Sequence, residues 1–177
     1  MIYKKVSKKL GNYSEIVDLY AKSFPKNERL PIWLITLLAK RKCADFFAFY
    51  DEECFCGIAY LIYYNNLTFV FYLAVNSNIR SKGYGSRILQ WIEEYKRNND
   101  IILCIEPPIE ESDNYEQRVK RLKFYQRNGY AQTGYQIIDG EPYDLLFKGE
   151  KFSDIMYNQL IKNFSFGFIS KKIIKAE

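Results

Sequence analysis

Three strand-like runs separated by tight turns fill residues 44–75 and constrain the fold more than any other feature of the sequence. The first two lie in "ADFFAFYDEECFCGIAYLIYYNN" and are joined at Asp51-Glu52-Glu53, which predicts a hairpin. Asn65-Asn66 marks a second turn, and "LTFVFYLAV" follows as a third strand. The middle of the chain is therefore predicted to be an antiparallel meander.

Apolar residues at helical spacing predict two helices before the meander. "NYSEIVDLYAKSF" forms the first, with Asn12 or Ser14 as its cap, and "PIWLITLLAKRK" forms the second. In the second helix, Leu34, Leu37 and Leu38 are expected to share the buried face.

A single crossover and a closing hairpin are predicted after the meander. A helix with Ile88, Leu89 and Ile92 on one face leads to "IILCIE", an apolar run typical of a buried central strand. "RVKRLKFYQRNG" forms a further helix closed by Gly129, and the last hairpin turns at Asp139-Gly140.

These elements place the chain in the α/β class, with a mixed α+β sheet. We expect a three-layer fold in which a mostly antiparallel central sheet is flanked by helices and residues 1–6 form an edge strand. Residues 1–149 are predicted to be one domain. Residues 150–177 are a C-terminal extension, in which an amphipathic helix precedes a strand, a tail or an oligomer contact. The last of these would make the protein a homodimer.

The composition excludes several kinds of catalytic site. The 177 residues include no histidine, so Ser-His-Asp and Cys-His catalysis cannot operate within this chain. Acid–base chemistry would fall to Glu, Asp, Tyr, Cys, Lys or water. The four cysteines, Cys43, Cys54, Cys56 and Cys104, form no C-x-x-C pair, so no metal site is expected. Cys54 and Cys56 would share one side of a strand as reduced packing residues.

The charge and hydropathy of the chain narrow its partners and its compartment. The net charge of +5 is mild and scattered, which favours anionic ligands but is not a nucleic-acid footprint. No window is long and apolar enough to span a membrane, and "MIYKKVSKKL" lacks the apolar core of a signal peptide. We therefore expect a cytoplasmic protein that binds neither nucleic acid nor membrane.

The segment "VNSNIRSKGYGSRIL", residues 75–89, places cations and glycines between a strand and a helix. A helix N-terminus presents unpaired N–H groups and the positive end of the helix dipole. Gly83 and Gly85 let the backbone approach a ligand closely, while Arg80, Lys82 and Arg87 add positive charge. Such a helix end binds phosphate or pyrophosphate.

Other glycine patterns compete for the same segment. Gly83-Tyr84-Gly85-Ser86 does not supply the G-x-x-x-x-G-K-[ST] pattern of a Walker A loop. Ile88 stands where a Rossmann fingerprint has its third glycine, and that fingerprint sits in an early βαβ unit rather than after a meander. On the residues alone, a plain glycine-rich turn with solvated cations stays open.

Two motifs in order carry a family resemblance. "RSKGYG" after "YLAV" resembles the R/Q-x-x-G-x-G/A pattern of the GNAT superfamily, the acetyl-CoA-dependent N-acetyltransferases. Downstream, "FYQRNGY", residues 124–130, is similar to the F-Y-x-x-x-G-[FY] segment of that family. A helix and the strand "IILCIE" separate the two, as in the family. The resemblance covers roughly residues 1–149 and implies a GNAT-like fold with acetyl-CoA as co-substrate.

The resemblance also implies which residues hold acetyl-CoA. Main-chain groups of Leu73, Ala74 and Val75 would bind the pantetheine arm, and amides of the glycine turn would bind the pyrophosphate. The turn residues concerned are Arg80, Ser81, Lys82, Gly83, Tyr84, Gly85 and Ser86. Tyr125 would contact the cofactor and act as the general acid that protonates the departing thiolate. Plain core packing is the alternative for Leu73, Val75 and Tyr125.

The sequence says less about the general base and the acceptor than about the residues that would hold acetyl-CoA. Glu106, at the end of the predicted central strand, is the first candidate for a base acting through water, and Glu28 is the second. The acceptor would be a primary amine of a small molecule, or a lysine or N-terminal amine of a protein. The acids that follow Glu106 suit a cationic acceptor such as a polyamine or aminoglycoside, with a solvated acidic loop as the alternative. They are Glu110, Glu111, Asp113 and Glu116.

The predicted reaction is transfer of an acetyl group from acetyl-CoA to a primary amine. The amine would attack the thioester directly in a ternary complex, without a covalent enzyme intermediate. A GNAT-like domain that binds CoA or a partner protein without catalysis is the alternative.

Overall fold

The computed structural model describes residues 1–79, 82–167 and 172–176. These residues contain eight strands, five α-helices and one 3-10 turn at Ser77–Ile79. The strands are β1 (Ile2–Lys5), β2 (Ala44–Asp51), β3 (Cys54–Tyr64), β4 (Leu67–Val75), β5 (Asp100–Ile105), β6 (Ala131–Asp139), β7 (Glu141–Lys148) and β8 (Lys172–Lys175). The helices are α1 (Tyr13–Ser23), α2 (Ile32–Leu38), α3 (Tyr84–Tyr95), α4 (Tyr115–Arg127) and α5 (Asp154–Phe164).

Hydrogen bonds join the strands in the order β1-β2-β3-β4-β5-β7-β6-β8, so the predicted mixed α/β architecture is confirmed. The chain divides into two compact units. The first comprises Met1–Ile62 and Val70–Lys96, and the second comprises Tyr63–Phe69 and Arg97–Glu177. β3 and β4 each contribute residues to both units. The predicted boundary between residues 149 and 150 remains a prediction.

The predicted meander forms the centre of the first unit. β2 lies between β1 and β3 in antiparallel register, with Phe47 opposite Lys5 on one side and Ala59 on the other. All residues of β2 except Asp51 are buried. Because both faces of β2 are covered, residues 46–50 form a continuous apolar run rather than an alternating pattern. β1 is exposed along its length and forms the predicted edge strand.

The helices before the meander differ from the prediction in two details. Asn12 is the N-cap residue of α1, but its side chain makes no capping hydrogen bond. Its Oδ1 accepts instead from the Tyr50 hydroxyl at 2.9 Å. In α2 the buried residue is Ile35, whereas Leu37 is 53% exposed. The prediction that Leu37 shares the buried face was wrong. Leu37 is two residues after the buried Ile35, so it lies about 200° further around the helix axis.

The crossover helix α3 has the predicted buried face. Ile88, Leu89 and Ile92 are all buried, at the i, i+1 and i+4 positions of one apolar stripe. Tyr95 ends the helix, and its hydroxyl donates to Asp45 of β2 at 2.9 Å. These contacts fix α3, and with it Gly83 at the start of the helix, against β2 within the first unit.

The second unit is built around an antiparallel sheet. β5 pairs with β7, β7 pairs with β6, and β8 adds to the other side of β6. Gly140 has a φ of 78° and forms the turn of the predicted last hairpin. Residues 150–177 contribute α5 and β8, and their description as an extension to the domain remains a prediction. The homodimer contact remains a prediction.

The four cysteines are free thiols. Cys56 is buried in β3, as predicted. Cys54 is exposed, so the expectation that it packs in the core is wrong. It is the first residue of β3, directly after the tight turn in which Glu52 has a φ of 55°, and the strand is not yet covered there.

Candidate active site

Asn76 fixes the end of β4, where the main chain turns towards α3. Its N–H donates to the Cys56 carbonyl at 2.9 Å, and its Nδ2 donates to the Phe55 carbonyl at 3.0 Å. Its Oδ1 accepts from the Asn78 N–H at 3.1 Å. The main chain and side chain of Asn76 thus make the last hydrogen bonds between β4 and β3, and the side chain also holds the start of the 3-10 turn. Sequence reasoning missed this role, although asparagine side chains commonly bond to nearby backbone at strand ends and turns.

Gly57 of β3 allows a close approach by the last residues of β4. A Cβ atom at this position would collide with the carbonyl oxygen of Ala74 and lie 3.2 Å from the Val75 Cα. It would also lie 3.2 Å from the Cδ1 of Ile88 on α3. The position of the Ala74–Val75 backbone therefore depends on the missing side chain. A glycine inside a strand pattern is the signal that could have identified this contact.

The three β4 residues predicted to bind the pantetheine arm differ in burial. Ala74 is buried, while Leu73 and Val75 are half-buried. This alternation follows the two-residue period of a strand and leaves the second face of β4 partly open in this region. Their roles act through main-chain groups and remain predictions.

The glycine turn meets α3 at Gly83. Gly83 is the N-cap residue, with φ 80° and ψ 0°, and no side chain caps the helix. Among the described residues, no atom lies within 4 Å of the position that a Cβ of Gly83 would take. The first N–H groups of a helix have no partner within the helix, and α3 begins with Tyr84, Gly85 and Ser86. The turn fits an anionic ligand; Arg80 and Ser81 lie outside the described residues.

The cations of this segment do not contribute equally. Arg87 forms an ion pair with Asp51, with Nη1 3.0 Å from Oδ2, and the Tyr84 hydroxyl donates to the same oxygen at 2.9 Å. The Arg87 guanidinium, and then the Tyr84 hydroxyl, hold the pKa of Asp51 below its usual value. The charge of Arg87 is therefore largely balanced within the protein, whereas Lys82 is exposed.

Glu28 lies in the connection between α1 and α2, also in the first unit. Tyr72 of β4 holds this connection, since its hydroxyl donates to the Glu28 carbonyl at 3.1 Å and accepts from the Leu30 N–H at 3.0 Å. The Tyr20 hydroxyl donates to the Leu30 carbonyl at 2.9 Å. A cavity of about 350 Å³ borders the connection. Its lining residues are Val17, Tyr20, Ala21, Lys26, Arg29, Leu30, Pro31 and Ile32.

Glu106 lies in the second unit, directly after β5, where both of its oxygens form ion pairs. Arg118 Nη2 is 3.0 Å from Oε1, and Arg121 Nη1 is 2.7 Å from Oε2. Arg118 also donates to the Pro107 carbonyl at 3.0 Å. Glu106 thereby ties the end of β5 to α4. A base function at Glu106 would require water or the amine to share an oxygen with a guanidinium, and this role remains a prediction.

Tyr125 lies in the last turn of α4 and is 9% exposed. Its ring packs against Phe124 and Tyr130, with centroid separations of 5.0 and 5.9 Å. Burial raises the pKa of Tyr125 to about 12, and the positive charge of Arg121 opposes part of that rise. The phenol is therefore fully protonated at neutral pH, as a proton donor must be.

The "FYQRNGY" motif forms the C-terminal cap of α4. Gly129 has a φ of 85° and occupies the predicted C′ position, and Tyr130 N–H donates to the Tyr125 carbonyl at 3.1 Å. The glycine is required because a left-handed residue ends the helix one residue before the buried Tyr130. The motif thus fixes the main chain on the C-terminal side of Tyr125.

The acidic stretch after Glu106 is mostly on the surface. Glu110, Glu111, Asp113 and Glu116 are exposed, and Glu116 pairs with Lys120 one turn later at 3.5 Å. The part of the chain that the structure describes contains no cluster of three His, Cys, Asp or Glu side chains suited to a metal ion. None of the described helices has the length and apolar character needed to cross a membrane.

A sequence model of the family described as "Acetyltransferase (GNAT) domain" matches residues 42–132, from the start of the meander to β6. The matched region contains both motifs, the crossover helix α3 and Tyr125. The chain belongs to the GNAT acetyltransferase family. A comparison with curated proteins finds no match.

Solved structures share the fold of this GNAT protein at low sequence identity. A GNAT family protein from Bacteroides thetaiotaomicron has a TM-score of 0.77 at 21% identity, over 96% of this chain and 100% of its own. An aminoglycoside 6′-N-acetyltransferase in complex with coenzyme A has a TM-score of 0.65 at 16% identity, over 86% and 100%. A variant of spermidine N-acetyltransferase from Vibrio cholerae has a TM-score of 0.61 at 13% identity, over 84% and 94%.

Proposed function

We propose that this protein transfers the acetyl group of acetyl-CoA to a primary amine by direct attack in a ternary complex. Membership of the GNAT family supports an acyltransferase. The observation that carries the proposal is the N-terminus of α3, where Gly83 has a left-handed conformation and no atom of the described residues lies within 4 Å of the position of its missing Cβ. Such an end suits the pyrophosphate of a CoA thioester.

In this proposal, the amides of Lys82 to Ser86, with those of Arg80 and Ser81, hold the pyrophosphate. Main-chain groups at Leu73, Ala74 and Val75 hold the pantetheine arm. Several solved structures with this fold contain bound CoA or acetyl-CoA, which supports the same acyl donor here. Binding by main-chain groups makes the donor site tolerant of side-chain differences, in keeping with the low identities.

The chemistry requires one proton to leave the amine and one to reach the sulfur. The amine nitrogen forms a bond to the carbonyl carbon of the thioester, the C–S bond breaks, and the thiolate takes a proton. We assign the proton donor to Tyr125 of the "FYQRNGY" motif, whose phenol carries its proton at neutral pH. The product amide and free CoA then account for all atoms.

Glu106 and Glu28 remain the candidates for accepting the amine proton. Glu106 would act through a water molecule that shares a carboxylate oxygen with Arg118 or Arg121. Glu28 belongs to the connection that Tyr72 fixes, beside the cavity between α1 and α2. Replacement of each by glutamine, with kcat followed against pH, separates them, because only the loss of the base abolishes the acidic limb of the profile.

The acceptor is proposed to be a small-molecule amine. Relatives of the same fold are named as acetyltransferases of aminoglycosides and of spermidine, which are both cationic amines. A protein lysine or N-terminal amine is the second acceptor class. The cytoplasmic location and the homodimer also remain proposals.

Two measurements test the function. Millimolar acetyl-CoA should raise the melting temperature, because a ligand that binds only the folded state stabilises it. A panel of primary amines should then release free CoA. Binding of acetyl-CoA without CoA release from any amine would favour a non-catalytic CoA-binding or protein-interaction domain. No shift in melting temperature would contradict both.

Tyr125→Phe tests the assigned proton donor. The variant keeps the ring packed against Phe124 and Tyr130, and it removes only the hydroxyl. We expect kcat to fall by about 10²-fold or more, with the affinity for acetyl-CoA unchanged. Unchanged turnover would remove Tyr125 from the mechanism.

A further inference from the structure

The two carboxylates buried in the described part of the chain have different partners. Asp45 and Asp144 are 2% and 6% exposed. Asp45 is paired with a cation, because Lys5 Nζ lies 2.8 Å from its Oδ1. Asp144 of β7 accepts only from amides: Gln136 Nε2 donates to Oδ1 at 2.8 Å and Gln132 Nε2 donates to Oδ2 at 3.2 Å. No lysine or arginine of the described residues forms an ion pair with Asp144.

A buried carboxylate normally has a positive partner. Removal of its charge from water is costly, and neutral amides satisfy its hydrogen bonds without balancing the charge. Glu106, a partly buried carboxylate of the second unit, has such partners, since it is held by Arg118 and Arg121. Asp144 is therefore a buried carboxylate of this unit whose described hydrogen-bond partners are neutral, and a cation from outside the chain would balance the charge of its ionised form.

The backbone around Asp144 is shaped to present this carboxylate. In the β6–β7 ladder Gln132 is opposite Leu146 and Gln136 is opposite Asp144, so three residues of β6 face one residue of β7. This bulge contains Gly134, whose φ is 73°. It brings the amides of both glutamines to one carboxylate. Bulges are common beside binding sites, where they redirect side chains.

Asp144 lies beside the C-terminal end of β5, where the acids that follow Glu106 are predicted to suit a cationic acceptor. Asp144 is directly opposite Ile105, the last residue of β5, and the next residue is Glu106. Residues directly opposite each other in an antiparallel pair project to the same face of the sheet. Ligands of open α/β sheets bind beyond the carboxyl ends of strands, and Asp144 lies at that end of β5.

We propose that Asp144 binds an ammonium group of the acceptor, and that the acceptor is a di- or polyamine. This inference rests on the proposed function for the identity of the ligand. The bound ammonium supplies the positive charge that Asp144 lacks, while Gln132 and Gln136 hold the carboxylate in place. The bound ammonium is one amino group of the acceptor, and the other amino group, once it has lost its proton, is the nucleophile that attacks the thioester. The affinity for the acceptor therefore depends on its having two cationic groups.

The first test uses the wild-type protein and two probes of equal chain length. 1,4-Diaminobutane has two ammonium groups, and 4-amino-1-butanol replaces one of them with a hydroxyl. With saturating CoA present, the diamine should raise the melting temperature at concentrations at least about tenfold lower than the amino alcohol, because hydrogen bonds to charged groups are the stronger ones. An equal response to the two probes would overturn the inference.

The second test uses matched variants. Asp144→Asn removes the charge and keeps the shape, and it should abolish the preference for the diamine. Gln132→Lys, at an exposed position, should do the same by supplying an ammonium from the protein. Asp45→Asn is the control: it leaves Lys5 without its partner and lowers stability, but the preference for the diamine should persist. A wild-type preference that survives in both Asp144→Asn and Gln132→Lys would also refute the inference.

Failure of this inference can be distinguished from failure of the proposed function. Acetyl-CoA is titrated in the same thermal assay without amine. If acetyl-CoA has no effect but the diamine stabilises the wild type and not Asp144→Asn, the proposed function fails and the ammonium site remains. If acetyl-CoA binds and CoA is released, but diamine and amino alcohol react with equal KM, the acyl transfer stands and the role of Asp144 is wrong.

Discussion

Gly57→Ala should damage both the stability of the first unit and the donor site at the end of β4. The added methyl group would collide with the Ala74 carbonyl oxygen and crowd the Val75 Cα at 3.2 Å. Both of these are backbone atoms, so no side-chain rotation can relieve the contact. Ile88 Cδ1, also at 3.2 Å, belongs to a flexible side chain but is fully buried on α3.

The size of the effect follows from these contacts. Overpacking in a closed core costs about 1–3 kcal/mol, and a backbone collision belongs at the upper end of that range. For a chain of this size, about 2–3 kcal/mol corresponds to a fall in melting temperature of roughly 5–10 °C. The strain is relieved only if β4 moves away from β3 at Ala74 and Val75, so the affinity for acetyl-CoA should fall as well.

Gly11→Ala is the matched control for this substitution. A Cβ at Gly11 has no atom within 4 Å and the residue does not have a left-handed φ, so alanine should be neutral or slightly stabilising. Urea denaturation gives the free energy of unfolding of each variant, and a thermal titration gives the response to acetyl-CoA. If Gly57→Ala unfolds at the same urea concentration as Gly11→Ala, the close approach of β3 and β4 is not as described.

Three further predictions concern the glycine turn, the α1–α2 connection and alkaline pH. Gly83→Ala should weaken acetyl-CoA binding more than Lys82→Ala. A left-handed φ of 80° costs a residue with a side chain about 1–2 kcal/mol, and the groups proposed to bind the pyrophosphate are main-chain amides. Equal affinities of the two variants in a thermal titration would contradict this. Tyr72→Phe removes two hydrogen bonds, so it should lower the free energy of unfolding by about 1–3 kcal/mol and raise KM for the amine but not for acetyl-CoA. The pKa of Tyr125 is raised to about 12, so its contribution of about 3 kcal/mol is complete below pH 10 and is lost as pH rises towards 12. Urea unfolding from pH 8 to 12 should therefore show a smaller decline in Tyr125→Phe than in the wild type.

Local patterns predicted the elements of this fold well, because each pattern reports an interaction between neighbours along the chain. The two turns of the meander, the C′ glycine at Gly129 and the turn at Gly140 are decided by residues within four positions of each other. Ile35 was missed because a seven-residue helix with apolar residues all round does not specify which face is buried. That choice is made by the strands against which the helix packs.

Side-chain partners separated by many residues could not be predicted in the same way. Glu106 looked like a free strand-end carboxylate, and its pairing with Arg118 and Arg121 depends on how α4 lies against the end of β5. Arg87 looked like a phosphate ligand, and its pairing with Asp51 depends on the position of α3 against the β2–β3 hairpin. Asp144 did leave a signal, as one acid inside the apolar run "YDLLF", but its lack of a cation emerges only from the register of β6 and β7.

The contrast between local patterns and partners distant along the chain also applies to the two substrates of the proposed reaction, the acyl donor and the amine acceptor. In the proposed function the acyl donor would be held mainly by main-chain groups. Such binding needs glycines at fixed positions and a helix that starts at the right residue, and short motifs record these requirements. The acceptor would be selected by side-chain charge. Only carboxylates that are not already paired with a lysine or arginine of the protein would contribute to this selection. Of the acids at the end of β5, Glu106 is already paired, and the exposed ones are screened by solvent. Asp144 is buried and its described partners are neutral amides, so we expect the choice of amine to depend on this residue more than on the larger number of acids around it.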